Sequence, residues 1–185
     1  MISVGNNFYL TGYDNIWKTN EQFNVLIHNK SNVYNSPGYW GLYYNSTNDL
    51  IYVAALDKKE IHVLNLDLTL NDTFSTAPYL PWSINEYNNQ LYVGTESGNG
   101  AILVIVNKQI IKQFNACNGK SATVYSILFD QFDNLATVCS DSQINLYNIN
   151  GDYLNKYISI YPYYISFDSK SRLVAVAESE ITIFS

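Results

Sequence analysis

The stretch from Trp40 to Asn65, WGLYYNSTNDLIYVAALDKKEIHVLN, decides the fold because it contains three short apolar and aromatic runs separated by polar turns. A second stretch, from Tyr125 to Asn148, reads YSILFDQFDNLATVCSDSQINLYN and has the same rhythm with different residues. Runs of this length, bounded by Asn, Asp and Ser, are typical of β-strands, and helical periodicity is absent. Each stretch therefore predicts three consecutive strands.

The same pattern occurs five times along the 185 residues. An apolar residue opens a strand at intervals of 43, 40, 44 and 38 residues, at Phe8, Ile51, Leu91, Leu135 and Leu173. The last four are preceded, 9 to 11 residues earlier, by an aromatic residue two positions before Leu or Ile: Trp40, Trp82, Tyr125 and Tyr163. Four strands in each repeat of about 40 residues are typical of a β-propeller blade.

The sequence thus predicts an all-β fold, a β-propeller or an open propeller arc, with about five four-stranded blades. We expect a single domain over residues 1–185, with repeat units at approximately 1–36, 37–78, 79–120, 121–160 and 161–185. The first and last blades are predicted to be incomplete, because only MISVG precedes the first clear strand and the last unit ends after three, giving 18 strands. Three interpretations follow: a fragment of a larger propeller, a small five-bladed ring, or open blade edges that pair with another copy.

The second unit resembles an NHL repeat. Its matching features are Pro37, Tyr52-Val53-Ala54 and Ile61-His62-Val63, and Pro81 with Tyr92-Val93 repeats part of the pattern in the next unit. WD-repeat and gluconolactonase-type propellers are alternative relatives, because the arginine usual before the Ile-x-Val strand is missing. The resemblance implies a propeller fold, and within that group of proteins it is compatible with either interaction domains or lyase-like enzymes.

Composition narrows the class of partner. The chain has 10 Lys and Arg against 16 Asp and Glu, a net charge of −6, and Arg172 as its one arginine, which argues against nucleic acid. No secretory signal and no run of about 20 apolar residues is present, so a membrane partner is not expected and a cytoplasmic location is the default. Cys117 and Cys139 are too few for a disulfide framework and are interpreted as small buried apolar side chains.

Acidic residues recur just after the second strand of each unit, where propeller turns and the starts of the first strands share one face. We expect this face to bind a protein or peptide, and the carboxylates and aromatic rings suit a basic or sugar-bearing partner. The structural alternative is that the acids cap their own turns and the aromatic rings fill the space between blades. The candidate residues are Trp40, Trp82, Tyr125, Tyr163, Asp57, Glu96, Asp141 and Glu178, and Asp14 occupies the equivalent turn of the first unit.

Catalytic constellations are not evident in the sequence. His62 and His28 fall in outer strands, where they are interpreted as surface or interblade residues, and no Ser-His-Asp arrangement is credible. A calcium site built from Asn85, Glu86, Asp130 and Asp168 is an alternative. We therefore predict a non-catalytic protein or peptide interaction module with no cofactor, metal or catalytic residue. The alternatives are a divergent metal-dependent lactonase- or lyase-like propeller enzyme and a propeller gene fragment without independent activity.

Overall fold

A computed structural model describes residues 1–30, 38–96, 100–117, 122–158, 162–168, 172–177 and 180–184. These residues form 19 strands and one 3₁₀ turn at Leu56–Lys58. No helix in the described ranges is long and apolar enough to cross a membrane. The protein is therefore all-β.

The strands form five antiparallel sheets in which each strand pairs with the next along the chain. The first sheet contains β1 (Ile2–Val4), β2 (Asn7–Gly12), β3 (Asn15–Asn20) and β4 (Val25–Lys30). The second contains β5 (Tyr39–Asn45), β6 (Leu50–Ala55), β7 (Glu60–Leu64) and β8 (Leu70–Ser75). The third contains β9 (Pro81–Tyr87), β10 (Gln90–Thr95), β11 (Ala101–Val106) and β12 (Gln109–Asn115). The fourth contains β13 (Val124–Phe129), β14 (Leu135–Cys139), β15 (Gln143–Tyr147) and β16 (Tyr153–Ile158), and the fifth β17 (Pro162–Phe167), β18 (Leu173–Ala177) and β19 (Ile181–Phe184).

The first sheet is complete, so the prediction of an incomplete first blade was wrong. Ile2, Ser3 and Val4 pair with Tyr9, Phe8 and Asn7. A turn through Gly5, whose φ is 56°, makes this hairpin, and glycine adopts that conformation without steric cost. Three residues are a weak periodic signal, which is why the sequence pattern missed this strand. In the described residues the fifth sheet has three strands, as expected.

The contacts within the chain divide it into two compact units, each larger than a repeat unit. They are the first unit, Met1–Glu86, and the second unit, Tyr87–Ser185. In the first unit, a core joins Tyr9 and Ile16 of the first sheet to Ile51, Val53 and Ala55 of β6 in the second. These three residues alternate along β6, so one face of the second sheet packs on the first sheet. Each sheet lies inside one of the five repeat units, whereas the single domain stays a prediction.

In the second unit, β14 packs on both faces. Leu135 and Cys139 point into a core shared with Tyr92 and Ile102 of the third sheet. Ala136 and Val138, on the opposite face, join a core with Ile165, Leu173 and Ala175 of the fifth sheet. All five residues of β14 are buried. A strand covered on both faces needs apolar or small residues at every position, which explains its uninterrupted run.

Cys117 and Cys139 form a disulfide bond, so their interpretation as free apolar side chains was wrong, although both are buried. The bond links the connection after β12 to the end of β14. Gly100 makes room for it, since a Cβ there would lie 2.4 Å from Cys117 Sγ. Disulfides persist in oxidising compartments and are rare in the cytosol, so this bond argues against the cytoplasmic default.

Removing the disulfide should destabilise the protein. The bond closes a loop with a sequence separation of 22 residues, and loop-closure entropy then predicts a loss of about 3 kcal/mol in unfolding free energy for Cys117→Ala/Cys139→Ala. Urea unfolding of the oxidised wild type and of the variant measures it. A reductant should lower the stability of the wild type and leave the double variant unchanged; equal stability of oxidised and reduced wild type would contradict the bond's role.

Candidate functional site

In three repeat units the aromatic residue of the series lies at a β-bulge near the start of the first strand. In β13, Tyr125 is the extra residue between the pairs Val124–Cys139 and Ser126–Val138. In β17, Tyr163 lies in the same way between Pro162 and Tyr164, and in β5 the register shifts between Tyr39 and Leu42, around Trp40. A bulge bends the strand and changes the direction of the bulged side chain. The bulges thus turn these rings away from the regular alternation of the strand.

In the first unit, Trp40 and Trp82 stack with their ring centroids 4.1 Å apart and an interplanar angle of 16°. Gly41 makes this approach sterically acceptable, because a Cβ there would lie 2.6 Å from the carbonyl oxygen of Trp82 and 2.8 Å from Ser83 Cα. The backbones of β5 and β9 therefore come together at a point where only glycine fits. Trp40 keeps 37% of its surface exposed.

Tyr13 adds a third ring that the sequence pattern did not identify. Its ring meets Trp40 edge-on at 6.4 Å, and its hydroxyl donates a hydrogen bond to Asp57 Oδ2 at 2.7 Å. Thr11 Oγ1 donates a hydrogen bond to the carbonyl oxygen of Trp40 at 2.6 Å, and this bond joins β2 of the first sheet to β5 of the second. We call Tyr13, Trp40, Trp82 and Asp57 the acidic–aromatic face. The only sequence signal for Tyr13 was its position beside Asp14 in the turn between β2 and β3.

A related group occurs in the second unit. The rings of Tyr125 and Tyr163 lie 5.5 Å apart, and Tyr163 is 47% exposed. Burial raises the pKa of Tyr125, and the nearby Tyr163 and the negative charge of Glu96 raise it further. The structure therefore places two predicted aromatic residues and one predicted carboxylate close together here.

Of the other two predicted carboxylates, Asp141 lies within the described residues. Asp141 has its Oδ1 atom buried. Its negative charge acts on Tyr147, where burial, then Tyr153, then Asp141 raise the pKa to about 12. Tyr147 donates a hydrogen bond to the carbonyl oxygen of Ala116 beside the disulfide, and Asp141 itself is half-buried in the turn between β14 and β15. Glu178 falls outside the described residues.

The alternative calcium ligands hold turns and neighbouring side chains. Asp130 accepts hydrogen bonds from the backbone N–H groups of Phe132 and Asn134, and Asp168 accepts from the backbone and side chain of Arg172. Glu86 accepts from Asn45 Nδ2 at 2.7 Å, while Asn85 Oδ1 accepts from the N–H of Glu86. Among the described residues, no group of three or more His, Cys, Asp or Glu is placed to hold a metal ion.

His62 links a phenol to a carboxylate between the first two sheets. Its Nε2 lies 3.2 Å from Glu60 Oε2, and its Nδ1 lies 3.1 Å from Tyr39 Oη. Because a carboxylate can only accept, Nε2 carries the proton and Nδ1 accepts from the Tyr39 hydroxyl. The side chain of His62 is 13% exposed, in agreement with an interblade residue. Burial lowers the pKa of His62, opposed by its hydrogen bond to Glu60.

The second unit also contains a cleft of about 350 Å³. Its described walls are mostly apolar and aromatic and include the charged residues Asp130 and Arg172. The rings and apolar side chains are those of Phe132, Tyr157, Phe167, Leu173 and Phe184. Arg172 Nη2 lies 2.6 Å from Asp168 Oδ2, so the arginine is already paired. The volume falls in the range of small-molecule sites.

Comparison with known proteins addresses the fold. No protein-family model matches the chain, and no curated protein matches it in sequence. Among solved structures, virginiamycin B lyase from Staphylococcus aureus superposes with a TM-score of 0.76 at 15% identity, over 100% of this chain and 68% of that one. The WD40 β-propeller domain of Doa1 superposes with a TM-score of 0.79 at 11% identity, over 99% and 62%. The chain has a β-propeller fold.

A third structure, a streptogramin B lyase, has a TM-score of 0.74 at 17% identity and covers 100% of this chain and 66% of its own. The chain thus spans about two thirds of the length of these propellers. Such identities establish the fold alone, because one fold hosts unrelated functions. The NHL resemblance stays a prediction, since the same architecture superposes on a WD40 domain.

The environment of His62 predicts that stability falls on acidification. Its pKa is lowered in the folded state, so the unfolded chain binds a proton more readily as the pH drops below about 6.5. The stabilisation is therefore present above that value and is lost as the pH falls through the folded pKa. Urea unfolding at a series of pH values measures the loss, and His62→Gln should flatten the curve over this window. A His62→Gln variant that keeps the wild-type slope over this window would exclude His62 as the cause.

Proposed function

We propose that the chain is a non-catalytic protein or peptide interaction module that binds a basic segment on the acidic–aromatic face. The observation that carries this proposal is the partly exposed Trp40–Trp82 stack with Tyr13 at its edge and Asp57 held beside it. Trp40, Trp82 and Asp57 of this face are predicted from the sequence, whereas Tyr13 is identified only in the structure.

The chemistry of the face favours cations. An ammonium or guanidinium group is attracted to the face of an aromatic ring, and tryptophan is the best such acceptor. Asp57 adds a negative charge, and Tyr13 holds that carboxylate in place by donating its hydroxyl proton to Oδ2. The net charge of −6 favours the approach of a basic segment over long distances. Stacking and charge therefore select the same partner chemistry.

The second unit contributes a smaller group of the same kind. Tyr125, Tyr163 and Glu96 repeat the combination of adjacent rings and a carboxylate. We assign these three residues a role in binding, and we leave out Asp141 because its Oδ1 atom is buried. A repeat protein gains binding surface when equivalent positions of several units carry the same chemistry.

Calorimetric titration with an octalysine peptide tests the proposal. Binding is expected at low salt and should weaken as salt is added. Trp40→Ala should weaken binding about fivefold, equivalent to ~1 kcal/mol from a lost cation–π contact, and Asp57→Asn should reduce the salt dependence. An octaglutamate peptide and the Phe132→Ala variant, which removes an exposed ring in the turn between β13 and β14, serve as controls. Absence of octalysine binding, or equal weakening by Phe132→Ala, would contradict the proposal.

A lyase-like enzyme is the second candidate, and the cleft of about 350 Å³ in the second unit is the observation that favours it. Two of the structural neighbours are lyases, a virginiamycin B lyase and a streptogramin B lyase. Incubation of the purified protein with virginiamycin B, followed by mass spectrometry of the antibiotic, separates the two candidates. Turnover that is lost in Arg172→Ala and kept in Trp40→Ala would favour the enzyme.

A further inference from the structure

The fifth sheet has one covered face and one apolar face that is largely exposed. Ile165, Leu173 and Ala175 lie in the core shared with the fourth sheet. The strand register places Tyr164, Val174, Val176, Ile181 and Ile183 together on the other side. We call these five residues the outer face of the fifth sheet. Ile181 is 69% exposed, Tyr164 58% and Ile183 50%.

The repeat shows that this exposure is an exception. An isoleucine near the start of the third strand recurs in each of the five repeat units. In the first four repeat units it is completely buried: Ile16, Ile61, Ile102 and Ile144 all have 0% exposure. Ile181 is the fifth member of this series. Ile16 packs in a core with Ile51 and Val53 of the following sheet, and Ile144 packs with residues of the fifth sheet. Ile102 packs with residues of the fourth sheet in the same way, so three of these isoleucines are buried under the next sheet along the chain.

The first sheet has the matching surface. The face that covers Ile16 belongs to the second sheet, where Ile51 and Val53 point toward the preceding sheet. Phe8 and Leu10 hold the equivalent positions in β2, and the strand register adds Trp17, Thr19 and Val25 to the same side. We call these five residues the outer face of the first sheet. Val25 is 58% exposed, and Phe23, which stacks on Phe8, is 58% exposed as well.

The two faces are alike in chemistry. The five residues named on each face carry no charge, so bringing them together buries apolar surface. On the first sheet the imidazole of His28 borders this face, stacked on Trp17 and hydrogen-bonded to Asn15. Exposed apolar patches of this kind commonly mark protein interfaces. The contact would also continue the series of sheet-to-sheet interfaces that the chain already forms between its first and second sheets and between its fourth and fifth.

We propose that the outer face of the fifth sheet binds the outer face of the first sheet of a second copy of this chain. The contact is head-to-tail, because each copy contributes a different surface. It leaves one unused face on each end of a dimer, so larger assemblies are expected at high concentration. This association involves neither the acidic–aromatic face nor octalysine binding, and each proposal can fail alone.

Sedimentation velocity across a wide range of protein concentrations tests the association. The wild type should shift from monomer to larger species as concentration rises. Ile181→Asp and Val25→Asp should each remain monomeric, because a carboxylate on either face must be desolvated in the contact. Ile111→Asp is the matched control: Ile111 is 58% exposed on β12, and its substitution should leave association unchanged.

Mixing the two monomeric variants identifies the pairing. Ile181→Asp retains the outer face of the first sheet, and Val25→Asp retains the outer face of the fifth, so the mixture should form a one-to-one dimer that neither variant forms alone. Circular dichroism checks that both variants fold, and Ile181→Ser with Val25→Ser repeats the test if either does not. A wild type that stays monomeric, a mixture that stays monomeric, or loss of association in Ile111→Asp would each overturn the proposal.

Discussion

The structure depends on the burial of both faces of those strands that lie between two sheets. Residues alternate across a strand, so a strand lying between two sheets must be apolar or small at every position. β14 shows this directly, since Leu135 and Cys139 face one core while Ala136 and Val138 face another. No single sheet can satisfy that requirement, because its strands would expose a row of apolar side chains to water. Repetition of the sheet is therefore the means of stability, and an uncovered face is where association is expected.

This packing also positions the candidate site. The first strands of the second and third sheets approach so closely that a side chain at position 41 would clash with the backbone of Trp82 and Ser83, and glycine is the residue that fits there. The bulge near Trp40 turns the indole out of the regular alternation, and the close approach brings it onto Trp82 at 4.1 Å. The aromatic pattern that marks each repeat unit is thus at once a packing feature and a source of surface chemistry. The two interpretations of the aromatic series are compatible, because Trp40 packs on Trp82 and still exposes part of its ring.

Polar side chains that lie between sheets or in turns have hydrogen-bond partners within the protein. His62 lies between Glu60 and Tyr39, and both ring nitrogens have partners, so its burial does not leave an unsatisfied donor. Arg172 is paired with Asp168 across its turn. Asp130 and Asp168, which a sequence search for oxygen ligands selects, instead stabilise the turns that connect the first and second strands of their sheets. Carboxylates at strand ends are therefore weak indicators of a metal site in this fold.

The sequence by itself determined the repeat and the strand type, because a spacing of about 40 residues and continuous apolar runs are local signals that survive without knowledge of neighbours. It also identified Trp40, Trp82, Tyr125 and Tyr163 as one series. Only the tertiary structure decided which of these rings meet, that Tyr13 joins them, that Asp141 has a buried carboxylate oxygen, and that Cys117 reaches Cys139. Those outcomes depend on how sheets distant in sequence pack together, and a bulge or a glycine contact that redirects a side chain has no periodic signature.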